Sequence, residues 1–298
     1  LHVCTSTITM SIQTALFTKV LADRPLDEAV DVAAEVGYDG IEPMGREPHL
    51  AVDMPTERVE ELATKIETRG LDVPCIATYT GSYVGKKDDE FEAELDQLEQ
   101  FCKFAEILDC DLVRHSAGGP PVRNASEDDY AAAAKWLRRA ADLAAEYNKQ
   151  LGIEIHGHTI TETADTTLKL LEMVDRANVG AIHDAGNMYL VDDAYERQTV
   201  EALGDQLFHV HIKDEQRVED ESLDGAFEFE TANGVELFQP TLLGDGDVRY
   251  QPLFDALVEY GYDGFVTDEC HAPASEPDGD IAIAKNELAV LRNYFPDK

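Results

Sequence analysis

Eight times along the chain a short strand-like apolar run is followed by an amphipathic helical pattern, and an alternation of that kind closes into very few architectures. The strand runs are expected within Val3 to Met10, then at Gly40 to Pro43, Val73 to Thr78, Leu112 to His115, Leu151 to His156, Val179 to Asp184, Leu207 to Lys213 and Gly264 to Asp268. Helical spacing places Leu26, Ala29, Val30 and Ala33 on one face after Pro25, and Val59, Leu62, Ala63 and Ile66 on one face after Pro55. Phe91, Leu95, Leu98, Cys102 and Ala105 mark a third helix, and Ser126 caps a long Ala-rich fourth that carries Trp136, assigned to packing. Further helices are expected at about 163–175, 195–204, 250–260 and 280–293. The same helix-to-strand joint occurs twice, as Glu-Val-Gly-Tyr-Asp-Gly-Ile at 35–41 and Glu-Tyr-Gly-Tyr-Asp-Gly-Phe at 259–265, with Gly37 and Gly261 suited to left-handed helix caps. The expected fold is α/β, a single (β/α)8 TIM barrel over residues 1–298. A doubly wound open sheet would want a Gly-rich phosphate turn after the first strand, and Thr5 to Met10 contains no glycine.

One connection is longer than the rest, an insertion at about 215–243. Within it Phe227 to Glu230, Asn233-Gly234 and Val235 to Phe238 predict a hairpin with a type I′ turn. Such an excursion suits either a lid or a contact in a homo-oligomer.

Charge narrows the partners. Asp and Glu number 61 against 24 Lys and Arg, a net charge of -37 spread along the whole chain, which repels nucleic acid and anionic membranes. An acidic coat of this size fits a cytoplasm rich in screening salt, as in a halophilic archaeon. Cys4, Cys75, Cys102, Cys110 and Cys270 show no paired spacing for a zinc knuckle or a disulfide framework. The first twenty residues lack a cleavable apolar core, and no stretch approaches the ~20 apolar residues of a membrane span, so a cytoplasmic location is expected.

Chemistry gathers at the ends of the late strands. In Phe-His-Val-His-Ile-Lys-Asp at 208–214, His209 and His211 alternate with Val210 and Ile212, so both imidazoles share one face. Glu154, Asp184, His211 and Glu269 close four successive strands, and neighbouring parallel strands lie about 4.8 Å apart, close enough for one ion to gather all four groups. Three carboxylates and an imidazole form an oxygen-rich donor set suited to one divalent metal ion, Mn2+, Co2+ or Mg2+, with Zn2+ also admissible.

These residues, with the Leu-Gly-Asp-Gly-Asp-Val run at 243–248 and the Gly-Tyr-Asp-Gly before the last strand, resemble the xylose isomerase-like barrels of the sugar phosphate isomerase/epimerase type. The resemblance spans essentially the whole chain. It implies that Glu154, Asp184, His211 and Glu269 bind the metal and that Glu154 and Glu269 are the catalytic pair exchanging protons with substrate. His156, on the inward face with Glu154, and His115, ending the fourth strand, are candidates for substrate binding. Arg217 falls six residues after His211, where ketose 3-epimerases of the family carry a substrate-binding Arg. Those epimerases and the hydroxypyruvate isomerases place a His three residues after the metal Asp, where Asn187 stands here as a further substrate-binding candidate, and a further Glu near Ile160. The Asp-Ala-Gly-Asn form resembles some inosose-processing relatives. The family's apurinic endonucleases need further metal ligands and a basic face, which the charge argues against.

The expected activity is a divalent-metal-dependent isomerase or epimerase of a small sugar or sugar phosphate, working by proton transfer through an enediolate. The alternative is a lyase that removes water from an inosose or keto-polyol at the same site. A non-catalytic sugar-binding barrel or complex subunit comes third.

Overall fold

The computed structural model describes residues 12–273 and 279–295. Its strands are β1 (Gln13–Phe17), β2 (Gly40–Glu42), β3 (Met44–Gly45), β4 (Ile76–Gly81), β5 (Leu112–Ser116), β6 (Gln150–Glu154), β7 (Val179–Asp184), β8 (Leu207–Ile212), β9 (Asp214–Val218), β10 (Phe227–Thr231), β11 (Gly234–Thr241) and β12 (Phe265–Asp268). Helices α1 (Leu26–Val36), α2 (Thr56–Thr68), α3 (Asp88–Ile107), α4 (Glu127–Glu146), α5 (Ala164–Val174), α6 (Ala185–Leu190), α7 (Arg197–Leu203), α8 (Tyr250–Tyr260) and α9 (Gly279–Tyr294) alternate with them.

The parallel sheet runs β2-β1-β12-β8-β7-β6-β5-β4-β3. Its two end strands are halves of one chain segment interrupted at Pro43, whose nitrogen carries no hydrogen to donate. β2 pairs with β1 and β3 with β4, and Ala77 N–H donates to Pro43 O at 3.0 Å, so the sheet closes on itself as an eight-fold TIM barrel. Among the described residues no helix is long and apolar enough to cross a membrane.

The repeated joint works as a cap followed by a tether. Gly37 and Gly261 end α1 and α8 at φ 103° and 83°, values that a residue with a Cβ resists. Tyr38 then turns inward and its hydroxyl donates to Asp268 Oδ2 at 2.8 Å, tying the first helix to the last barrel strand. Trp136 packs on Phe91 with ring centroids 4.2 Å apart, a core role.

Several boundaries differ from expectation. The strand expected within Val3 to Met10 lies outside the described residues, and the first described strand is Gln13–Phe17. The run expected at Val73 to Thr78 pairs only from Ile76, because Pro74 cannot donate to a neighbour and Asp72 makes an isolated bridge with Gly40 instead. α6, directly after Asp184, was not anticipated; six residues are too few to show a helical period. The hairpin forms from β10 and β11 and joins β9 in a separate three-stranded antiparallel sheet. Its turn is not type I′. That form needs positive φ at two successive residues, whereas here only Gly234 (φ 111°) has it and Asn233 does not. The sheet sits down on the barrel: Phe229 covers Gly157 and its ring lies 4.3 Å from that of His158, while Arg123 pairs with Glu230 at 2.8 Å.

The Leu-Gly-Asp-Gly-Asp-Val run wraps around one carboxylate. Asp214 accepts from the backbone N–H groups of Gly244 (2.8 Å), Gly246 (3.2 Å), Val248 (3.1 Å) and Glu215 (2.9 Å). A Cβ on Gly246 would lie 2.5 Å from Thr241 Oγ1 and closer still to Asp214 Oδ1. Gly246→Ala should therefore cost about 1–3 kcal/mol of stability, read as a lowered denaturant midpoint.

Inside α9, Glu287 is buried and its Oε1 accepts from Leu243 N–H at 3.0 Å, while Oε2 has no nitrogen or oxygen partner among the described residues. Burial, with the Asp268 charge nearby, pushes the Glu287 carboxyl up to about 9. The raised folded value means that its bound proton favours the folded state: this contribution is fully present below the unfolded value of about 4.3 and is lost as pH rises through about 9. Glu287→Gln, which mimics the neutral acid, should melt higher than the parent at about pH 8, with the gap closing toward about pH 5.

Candidate active site

Four side chains converge at the carboxyl-terminal mouth of the barrel, because four neighbouring strands end there at matching heights. Asp184 at the end of β7 pairs in register with His211 on β8, and His211 with Thr267 on β12, two residues before Glu269. Glu154 ends β6 opposite Ile182. One ligand atom from each of Glu154, Asp184, His211 and Glu269 lies within 4.8 Å of the others.

Three cations hold this concentration of negative charge together. Arg114 Nη1 lies 3.0 Å from Glu154 Oε2, Lys213 Nζ 2.8 Å from Asp184 Oδ2, and Lys19 Nζ 3.4 Å from Glu269 Oε1. Lys213 also stands 3.6 Å from Glu269 Oε2. Burial raises the Glu154 carboxyl, but the Arg114 charge and then the His211 hydrogen bond outweigh it and hold it well below the ordinary range. Glu269 is likewise raised by burial and brought far down by Lys213 and His211. Asp184 differs: burial outweighs Lys213, and its carboxyl is raised.

His211 has two different faces. Its Nδ1 is turned to the cluster, 3.3 Å from Glu154 Oε1 and 3.4 Å from Glu269 Oε2. Its Nε2 lies 3.0 Å from Glu42 Oε1, and Glu42 Oε2 lies 3.0 Å from His209 Nε2. Burial favours a neutral Glu42, yet the two imidazoles, His211 foremost, keep its carboxyl well below the ordinary range.

The cluster opens into a cavity of about 330 Å3 lined by Glu154 and Glu269 together with Lys19, Arg114, Tyr79 and His156. His156 is exposed there, and its Nδ1 lies 2.8 Å from Gly157 O, so that Nδ1 carries the hydrogen and Nε2 is the nitrogen left for a ligand. His115 also borders the cavity, but both ring nitrogens are taken, by Thr80 Oγ1 at 2.8 Å and Tyr83 OH at 2.5 Å. Burial and then the Lys86 charge push it down to about 3, which makes it a neutral wall. Asn187 is buried behind Glu154, donating to Ile155 O at 3.2 Å and reaching Glu154 Oε1 at 3.5 Å. It therefore orients a carboxylate from behind the cavity wall. Arg217 stands apart from the cavity, on β9, paired with Asp192 at 2.6 Å and Glu236 at 3.4 Å. Lys213 and Asp214 do not pair with each other: Lys213 turns to Asp184, and Asp214 to the 244–248 backbone.

Sequence reasoning missed Arg114, Lys19 and Glu42. A charged residue inside the otherwise apolar runs Leu-Val-Arg and Gly-Ile-Glu-Pro was the available signal for the first and last, since a strand buried on both faces carries a charge only where it is paired. Lys19 stands just after the first described strand in the short run Thr-Lys-Val-Leu, where a single lysine is ordinarily solvated, and gave none.

The donor set fits a divalent cation: three carboxylates and one imidazole nitrogen, with the buried Glu269 Oε2 met only by the longer approaches of His211 Nδ1 at 3.4 Å and Lys213 Nζ at 3.6 Å among the described residues. Lys213→Met tests how this charge is balanced. Removing one partner of a buried pair typically costs about 3–5 kcal/mol, and an added cation can take its place. The variant should melt below the parent in chelator, and the difference should shrink when Zn2+ or Mn2+ is added.

Comparison with known proteins gives three findings. Residues 30–294 match the family model described as xylose isomerase-like TIM barrel. An inosose dehydratase of Clostridium perfringens (strain 13) is 24% identical over 288 residues, covering 93% of this chain and 91% of that protein. Among solved structures, the probable 3-DHS dehydratase AsbF from Bacillus anthracis superimposes with a TM-score of 0.77 at 21% identity, over 95% of this chain and 99% of that one. The IOLI protein with a bound zinc atom gives 0.78 at 16% identity, over 96% and 100%. An L-ribulose 3-epimerase shares the fold as well, with a TM-score of 0.75 at 18% identity over 95% and 94%, so the fold alone does not choose a reaction. The sequence relatives do bear on it. They are named for dehydration, and the expectation of an isomerase or epimerase is corrected accordingly.

Proposed function

The chain belongs to the xylose isomerase-like TIM barrel family, and within it we propose a metal-dependent dehydratase that removes water from an inosose or a related keto-polyol. The observation that carries the proton chemistry is the pair of ionised glutamates, Glu154 and Glu269, facing one cavity beside Lys19 and Arg114, and the sequence relatives named for dehydration favour water loss over proton relocation.

Dehydration beside a ketone needs a base for the proton on the neighbouring carbon, stabilisation of the charge that develops on the carbonyl oxygen, and an acid for the departing hydroxyl. Glu154, Asp184, His211 and Glu269 would hold the divalent ion, which supplies Lewis acidity toward the carbonyl oxygen when bound. Glu154 and Glu269 are carboxylates by virtue of Arg114 and Lys213 and can each accept a proton from carbon. As that C–H bond breaks, its electron pair forms the new C=C bond, and the C–O bond to the beta hydroxyl breaks in turn. The leaving oxygen takes a proton and departs as water. Lys19, whose ammonium lines the cavity, carries a proton for that oxygen, Arg114 adds positive charge along the wall, and His156 Nε2 at the cavity edge is left to accept from a substrate hydroxyl. Lys213 and Asn187 keep Asp184 and Glu154 in place from behind.

Incubation with an inosose in the presence of Mn2+, Co2+ or Zn2+ should yield the dehydrated product by proton NMR, with deuterium entering beside the carbonyl in D2O. Glu154→Gln or Glu269→Gln should lower kcat by about 10²–10⁴-fold with the fold intact by circular dichroism. Dialysis against EDTA should abolish turnover, and readdition of the ion should restore it. An isomerised or epimerised sugar without loss of water would refute the proposal.

A further inference from the structure

Glu42 ends β2 on the far side of His211 from the three carboxylates, fully buried, and it is not among the residues lining the cavity. Its two oxygens are divided between two imidazoles: Oε1 is 3.0 Å from His211 Nε2, and Oε2 is 3.0 Å from His209 Nε2, which also lies 2.9 Å from Thr267 Oγ1. Because a carboxylate only accepts, both Nε2 atoms carry hydrogens and donate. Glu42, His209 and His211 themselves fall within 4.8 Å of one another. Each ring nitrogen facing Glu42 is already engaged at hydrogen-bond distance, so these three form a relay and not a second cation site. With Nε2 of His211 committed to Glu42, Nδ1 is the nitrogen left to face Glu154, Asp184 and Glu269.

We propose that Glu42 is a positioning residue for the metal centre: it fixes the ring orientation and tautomer in which His211 presents Nδ1 to the ion, with His209, itself in contact with Thr267, holding Glu42 in turn. The inference rests on reading the four-residue cluster as a metal site and is independent of which keto-polyol is dehydrated. A carboxylate behind a ligating imidazole raises its basicity and restricts its rotation, and loss of such a partner commonly weakens metal binding about 10–100-fold.

Two measurements test it. Calorimetric titration with Zn2+ should give one ion per chain for the parent, for Glu42→Gln and for Glu42→Ala, with Kd raised about 10-fold or more in both variants and most in Glu42→Ala, the circular dichroism spectrum being unchanged. Long-range proton–nitrogen NMR of the Zn2+-loaded parent protein should show His211 bound through Nδ1 and protonated on Nε2, a readout that needs no variant to fold. Coordination through Nε2, or variant Kd values within twofold of the parent, would overturn the role of Glu42 while leaving the metal site standing. Failure of the parent protein to bind any Zn2+ would remove the metal site itself, and the proposal with it.

Discussion

The site depends on the neutralisation of three carboxylates that the barrel forces together. Glu154, Asp184 and Glu269 are brought within a few ångströms of one another by parallel strands ending in register, inside a protein whose net charge is already -37. Carboxylates so close and so shielded from water would take up protons if left to themselves. Arg114, Lys213 and Lys19 prevent this for the two glutamates, Arg114 beside Glu154 and both lysines beside Glu269, with Lys213 bridging to Asp184. The same arrangement keeps both glutamates ionised.

Order in the barrel follows from a similar economy of contacts. The chain crosses from β2 to β3 at Pro43, the residue that cannot donate, and the sheet changes neighbours there from β1 to β4. Tyr38 binds the first helix to Asp268 in the last barrel strand, and Asp214 gathers the loop that follows the hairpin sheet. Seam, tether and loop hub together fix the height at which each strand end stands. The four converging side chains depend on that height more than on any contact among themselves.

Much of this was legible in the sequence because the pattern repeats. Alternating apolar and helical periods identified the barrel, and acids or histidines at the ends of four successive strands marked a convergence point without knowledge of a single distance. What escaped was long-range or non-periodic. A β-branched run drew the first strand toward residues 3–10, whereas Gln13–Phe17, with Gln, Ala and Leu in it, has little strand character of its own and is held by β2 and β12 on either side. Arg114 and Glu42 are separated from their partners by 40 and 169 residues, beyond the reach of any local rule. Arg217 illustrates the opposite error. Its spacing from His211 matched a relative's pattern, but β9 turns away into the antiparallel sheet and takes it to Asp192. The reaction was harder still, since strand-end ligands of one kind serve both proton relocation and water loss.

The hairpin sheet has a geometric consequence for traffic into the barrel. Phe229 seated over Gly157, and Arg123 joined to Glu230, pin the roof on the side of β5 and β6. On the opposite rim stand Lys19, Arg46 and Tyr79, where the Arg46 guanidinium lies 4.1 Å above the Tyr79 ring and two further hollows share Tyr79 and Lys19 with the central one. The width of that rim is set by the stacked Tyr79 and Arg46, which stand outside the carboxylate cluster.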